Sequence, residues 1–173
     1  MTTATIHTKE LFAALDNAAD ELVQLTSSVD TQKINLIPFK GSWTAAQLIV
    51  HVTKSNKAIA QGLNMEGKTS ARDIDEGVAG LKKMFLDFNI KYKSPEFIIP
   101  EEGSYNKDEI IESLKRSVER LQAARDKQNL PDVITLPPFG EITKLELLHF
   151  VLYHTMRHIH QLKNIIHALK SKN

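Results

Sequence analysis

Apolar residues recur at steps of three and four along most of this chain. That period commits it to helices that must bury one face against each other. From about Thr5 to Val29 the stripe is Leu11, Leu15, Ala18, Leu22, Leu25 and Val29. A second helix opens at Thr44-Ala45-Ala46-Gln47 and runs to about Asn64. Thr44 and Gln47 have the spacing at which a side chain at each end satisfies a free backbone N–H of the other, a capping box. Asn106-Lys107-Asp108-Glu109 caps a further helix reaching about Gln128, with Ile110, Ile111, Leu114, Val118 and Leu121 on its stripe. Thr143-Lys144-Leu145-Glu146 is another capping box, for a last helix ending near Lys170. A weaker helix is expected from about Ile74 to Phe88, where Gly77 and Gly80 lower the propensity.

The intervening stretches lack the period. Pro38 interrupts Asp30–Lys40, and Pro95 and Pro100 punctuate Lys91–Tyr105. Leu130–Gly140 holds Pro131, Pro137 and Pro138 and reads as a loop. No repeat or second composition regime is visible. The expectation is an all-α fold: a four-helix bundle with one additional short helix, forming one domain over residues 1–173. The long connections require at least one crossover between non-adjacent helices.

Charge narrows the partners. Lys and Arg number 22 and Asp and Glu 21, interleaved rather than blocked, for a net charge of +1. That offers no electrostatic case for nucleic acid or an anionic membrane. No apolar run approaches the roughly 20 residues of a membrane span. The stretch Met1–Thr5 has no basic segment leading into an apolar one, so no secretory signal is read there. There are no cysteines. Disulfides, thiolate ligands and a cysteine nucleophile are excluded, and the chain suits a reducing cytoplasm.

The histidines carry the functional reading. On the last helix His154 and His158 stand four apart and so share a face. With His154 as origin, Leu147, Val151, Leu162 and Ile165 fall within about 80° of it. His149, His160 and His167 point to the opposite side, to solvent or a subunit contact. His51 lies on the apolar side of the second helix, among Thr44, Leu48, Ser55, Ala58, Ile59 and Gly62. Those mostly small neighbours leave room for a cavity beside the imidazole. Two neutral imidazoles at i and i+4, joined by a third from another helix, can share a divalent metal and leave positions open to water or substrate. The opposing reading is three core histidines satisfied by hydroxyls or carboxylates.

Other residues keep two readings each. Trp43 packs as a staple ahead of the helix cap, or stacks on a substrate. Arg157 pairs with a carboxylate, or meets an anionic substrate. Gln161 orients a neighbouring side chain, or bonds a metal-bound water. Phe97-Ile98-Ile99-Pro100 and Leu136-Pro137-Pro138-Phe139-Gly140 cover the end of the bundle, or cap a pocket. No acid/base residue stands out; Glu101, Glu102 and Glu141 lie in or beside loops, and nothing singles them out.

Gly41-Ser42-Trp43-Thr44-Ala45-Ala46-Gln47-Leu48-Ile49-Val50-His51-Val52 resembles the G-x-W-[ST]-x-x-[EQ]-x-x-x-H-[LV] segment of the DinB/YfiT-like superfamily. His154-Thr155-Met156-Arg157-His158-Ile159-His160-Gln161-Leu162 resembles its H-x-x-x-H-x-x-Q-L segment. The two occur in the family's order and spacing, and the resemblance covers essentially the whole chain. It implies an up-down-down-up bundle, often dimeric, with one divalent metal (nickel, zinc or iron) held at positions matching His51, His154 and His158. It also implies a metal-dependent hydrolase or a low-molecular-weight-thiol S-transferase acting on a small molecule. No thiol-binding signature is matched. A non-catalytic metal- or ligand-binding stress protein is the alternative.

Overall fold

The computed structural model describes residues 3–171, with side chains from residue 7 onward. Met1 and Thr2, which begin the stretch read for a secretory signal, lie outside the described residues, as do Lys172 and Asn173. The described residues form five α-helices: α1 (Thr3–Ser28), α2 (Ala45–Leu63), α3 (Val78–Leu86), α4 (Lys107–Arg125) and α5 (Lys144–Lys170). A 3-10 turn spans Glu96–Ile98.

The caps form as their sequences dictate. Thr44 and Gln47 complete the box at the start of α2, and Thr143 and Glu146 do so at α5. Asn106 accepts from the N–H groups of Asp108 and Glu109 at the start of α4. Each cap satisfies donors that a helix start leaves free. Gly41 sits at φ +78°, so the chain reverses just ahead of Trp43 at a conformation other residues avoid.

Side-chain contacts fix the directions of the four long helices. Gln122 and Arg125, at the end of α4, bond Asp16 of α1, while Lys107 at its start bonds the carbonyls of Ser27 and Val29. These two helices are therefore antiparallel. Lys163 pairs with Glu21, and Lys33, just beyond α1, bonds the carbonyl of Leu169. So α1 and α5 run the same way. Lys144 at the start of α5 reaches the carbonyl of Met65 just past the end of α2, which makes α2 and α5 antiparallel. The result is the up-down-down-up order. Leu22, Leu48, Ile49, Leu114, Leu162 and Ile165 are almost fully buried between the helices. The short α3 packs on α5.

The segment read as a loop at Leu130–Gly140 contains more order than expected. Val133–Leu136 (β1) pairs antiparallel with Gly140–Thr143 (β2), with Val133 opposite Thr143 and Leu136 opposite Gly140. Pro137 and Pro138 occupy only the turn, where no ladder N–H is needed. The β-branched Val133, Ile134, Ile142 and Thr143 turn inward and are buried. Helix α3 is also shorter than the expected Ile74–Phe88. Gly77 lies just outside it, and its N–H donates to Oε1 of Glu146 at 2.6 Å. A Cβ at that position would stand 2.8 Å from the same oxygen.

Candidate metal centre

Helices α2 and α5 are antiparallel, and their contact brings His51 against His154 and His158. The three Nε2 atoms form a small triangle, 3.2 Å from His51 to His154, 3.2 Å from His51 to His158 and 3.0 Å from His154 to His158. All three side chains are buried, at 2%, 6% and 6% exposure. Among the described residues they are the one group of three or more potential metal-ligating side chains brought together in this way.

Hydrogen bonds at the far side of two rings set which nitrogen faces the triangle. Nδ1 of His51 stands 3.0 Å from the carbonyl oxygen of Ile98, and a carbonyl only accepts, so that nitrogen carries the proton. Nδ1 of His158 stands 3.0 Å from Oε1 of Gln161 and donates in the same sense. Each neutral ring then presents an unprotonated Nε2. Gln161 thus orients a neighbouring ring, one of its two expected roles.

Burial keeps these rings neutral. Loss of water drives His154 well below the ordinary imidazole range, and the neighbouring His158, His51 and Arg157 add to it. His158 is brought down to about 3, chiefly by desolvation, with the proximity of His51 and Arg157 contributing and the Gln161 bond opposing. His51 is lowered by burial too, against a raising effect of its bond to Ile98.

The donor set fits a divalent first-row ion. Two nitrogens, each about 2.1 Å from one cation, stand about 3.0 Å apart at a right angle and about 3.4 Å apart at a tetrahedral one. The observed separations lie in that interval. The three Nε2 atoms converge, and no hydroxyl or carboxylate hydrogen-bonds any of the three rings among the described residues, which disfavours the reading of three ordinary core histidines.

Aromatic rings surround the triangle. Trp43 lies 5.0 Å from the ring of His51, while Phe150 and Phe85 lie 5.1 and 6.0 Å from that of His154. The contact of Phe85 had no sequence signal, because α3 is linked to α5 only through the tertiary fold. The role of Ile98 was equally hidden, since it is a backbone carbonyl in a loop. Arg157 pairs with no carboxylate among the described residues. It donates to the carbonyls of Phe85, Asp87 and Ile90 around the end of α3. Gly62, one of the small residues on the His51 side of α2, lies eleven residues further along the helix, and there the side chain of Leu136 stands 2.7 Å from where a Cβ would be. Of the remaining histidines, His160 and His167 are exposed, and His149 is half-buried beside the Tyr153 hydroxyl.

The up-down-down-up bundle and its cluster of three buried histidines define an all-helical core with one candidate centre among the described residues, and the comparisons agree with the architecture. A family model described as the DinB superfamily matches residues 14–162, and the chain belongs to that superfamily. Among solved structures it is similar to TT2238, described as a four-helix bundle protein, at 18% identity and a TM-score of 0.59. That match covers 90% of this chain and 97% of the other, and it shows the fold alone. No curated protein matches the chain.

Proposed function

We propose that the protein is a metal-dependent enzyme acting on a small molecule, either a hydrolase or a low-molecular-weight-thiol S-transferase. His51, His154 and His158 hold the ion, which is nickel, zinc or iron. The observation that carries this reading is the cluster of three buried Nε2 atoms within 3.2 Å of one another. When bound there, such an ion supplies Lewis acidity and lowers the pKa of water or a thiol at its open positions. The protein's own contribution is to hold three neutral donors in place, with the bonds to Ile98 and Gln161 fixing two of the rings. The reading covers the chain as one domain, working in the cytoplasm as a homodimer. Light scattering on untagged protein checks the oligomer.

Metal analysis of purified, untagged protein is expected to give one divalent ion per chain, and a His154→Ala, His158→Ala double variant to give none. Retention of stoichiometric metal by that variant overturns the ligand assignment. Turnover is then sought with ester, amide and thiol-plus-electrophile panels. Activity lost on chelation and restored by metal supports the enzyme reading.

One observation favours a non-catalytic binding protein as the second reading. No carboxylate joins the three imidazoles in their cluster of potential ligand atoms among the described residues. Glu101 is exposed and engaged by Lys54 at 2.6 Å, a bond that holds its carboxyl below the usual range. Silence across the panels with metal bound selects that reading.

A further inference from the structure

A ring fixed at Nδ1 stays fixed only while its acceptor is held still, and the two acceptors at this site differ in origin. Gln161 follows His158 by three residues on the same helix, so α5 itself supplies that bond. The acceptor for His51 comes from a separate strap. It is the carbonyl of Ile98 in the 3-10 turn, 47 residues further along the chain. Ile98 and Pro100 are buried, whereas Phe97, Ile99, Glu101 and Glu102 are exposed. Polar contacts must therefore help to keep the strap in place.

Lys54 makes the contact nearest the site. It follows His51 by three residues on α2, so both side chains leave the same side of the helix. His51 donates to the carbonyl of Ile98. Lys54 donates to the next carbonyl, that of Ile99, at 2.8 Å, and to Oε1 of Glu101 at 2.6 Å. Pro100 restricts the residue before it to extended backbone, and Ile99 is found there, at φ −68° and ψ 130°. Fastening the Ile99 carbonyl therefore fastens that of Ile98 as well. The far end of the strap is held from elsewhere. The Tyr105 hydroxyl donates to the carbonyl of Glu101 at 2.7 Å, and Asn35 exchanges two bonds with the Tyr105 backbone, each at 2.9 Å.

We propose that Lys54 is a positioning residue of the three-histidine site. By clamping the Ile99 carbonyl and Glu101 it keeps the Ile98 carbonyl on Nδ1 of His51, and so keeps Nε2 of His51 unprotonated and turned to the triangle. The proposal deepens the reading above and rests on it only for the consequence on ion binding. A neutral ring that loses the carbonyl can carry its proton on either nitrogen, and a protonated Nε2 cannot bind an ion. Outer contacts of this kind change metal affinity by about 10–100-fold. The Lys54 side chain is half-buried, which shields its bond to the carbonyl from the screening that fully exposed ion pairs meet.

Lys54→Met removes the donors and keeps the stem. In metal-free protein at pH 7.5, imidazole nitrogen-15 spectra are expected to show Nδ1 protonated in both His51 and His158 of the unaltered chain. In Lys54→Met the His51 proton should be shared between Nδ1 and Nε2, with His158 unchanged. Amide exchange across residues 96–101 should rise at least about tenfold, and exchange across α4 should stay as it was. Zinc affinity, read by competition with a chromophoric chelator, should fall at least about tenfold. Lys54→Arg returns a cation with several donors and is expected to recover most of all three.

An unaltered His51 tautomer in Lys54→Met overturns the proposal, as does unaltered exchange in the strap. A shifted tautomer with zinc affinity unchanged overturns the positioning role. Failure of the unaltered chain to bind zinc sinks the metal reading instead, and the tautomer and exchange still decide whether Lys54 holds the strap. Should Lys54→Met fail to fold, Glu101→Ala removes one arm of the clamp at an exposed residue. It is expected to raise exchange across residues 96–101 and to weaken zinc, each at least about threefold. Unchanged exchange in that variant overturns the clamp.

Discussion

An imidazole in water takes up a proton near pH 6.5. His158 in the folded chain resists protonation down to about 3, and His154 is shifted far in the same direction, chiefly because neither ring has water around it. Between those two pH values the unfolded chain binds more protons than the folded one, so acid favours unfolding. The stabilisation is fully present above about pH 6.5 and drains away as pH falls toward 3. Urea denaturation of the metal-free protein at pH 7.5, 6 and 5 should show a progressive loss of stability. In His158→Gln the decline should be shallower; identical slopes would show that His158 does not carry it. At this scale the sequence already named all three histidines, since a period of 3.6 sorted His154 and His158 from His149, His160 and His167. It could not show the carbonyl of Ile98 or the ring of Phe85, which reach the site through loop and helix placements with no local pattern.

At the scale of elements, the start of α5 does more than cap a helix. Glu146, 2% exposed, closes the capping box, accepts the N–H of Gly77 and pairs with Arg72. One carboxylate thereby joins α5 to the approach to α3, which in turn carries Phe85. Glu146→Ala leaves those donors without a partner and is expected to cost about 3 kcal/mol in urea denaturation. It should also loosen α3, seen as faster amide exchange there. Gly62 plays a steric part, because the hairpin lays Leu136 directly over it. Gly62→Val crowds that contact and is expected to destabilise by about 1–3 kcal/mol, less if Leu136 swings aside. The capping residues were legible because caps are local. The hairpin was missed because three prolines dominate a short window, while the pairing of Val133 with Thr143 spans the turn.

For the whole molecule, a ligand that binds only the folded state adds stability by mass action. Zinc or nickel at about one hundred times its dissociation constant contributes about 2.7 kcal/mol. For a domain of this size that corresponds to a rise in Tm of about 5–10 °C. Calorimetry of untagged protein should show the rise, and the His154→Ala, His158→Ala double variant should show none. A rise of the same size in the variant would place the ion elsewhere. The site is a property of the entire bundle, since α2 and α5 hold the rings, α3 brings Phe85 to His154 and the carbonyl of Ile98 in the 3-10 turn fixes a tautomer.

The amino-acid order alone determined the helices, their caps and the inward faces, because period and capping are short-range and each is written within one or two turns. It also marked the three histidines that the fold brings together, through motifs shared with a known superfamily. What it left open was distance. The meeting of three Nε2 atoms within 3.2 Å depends on the antiparallel contact of two helices whose histidines are more than a hundred residues apart. The engagement of Arg157 and Lys54 by backbone carbonyls was likewise decided in three dimensions. A carbonyl belongs to every residue, and only folding selects which one a side chain can reach.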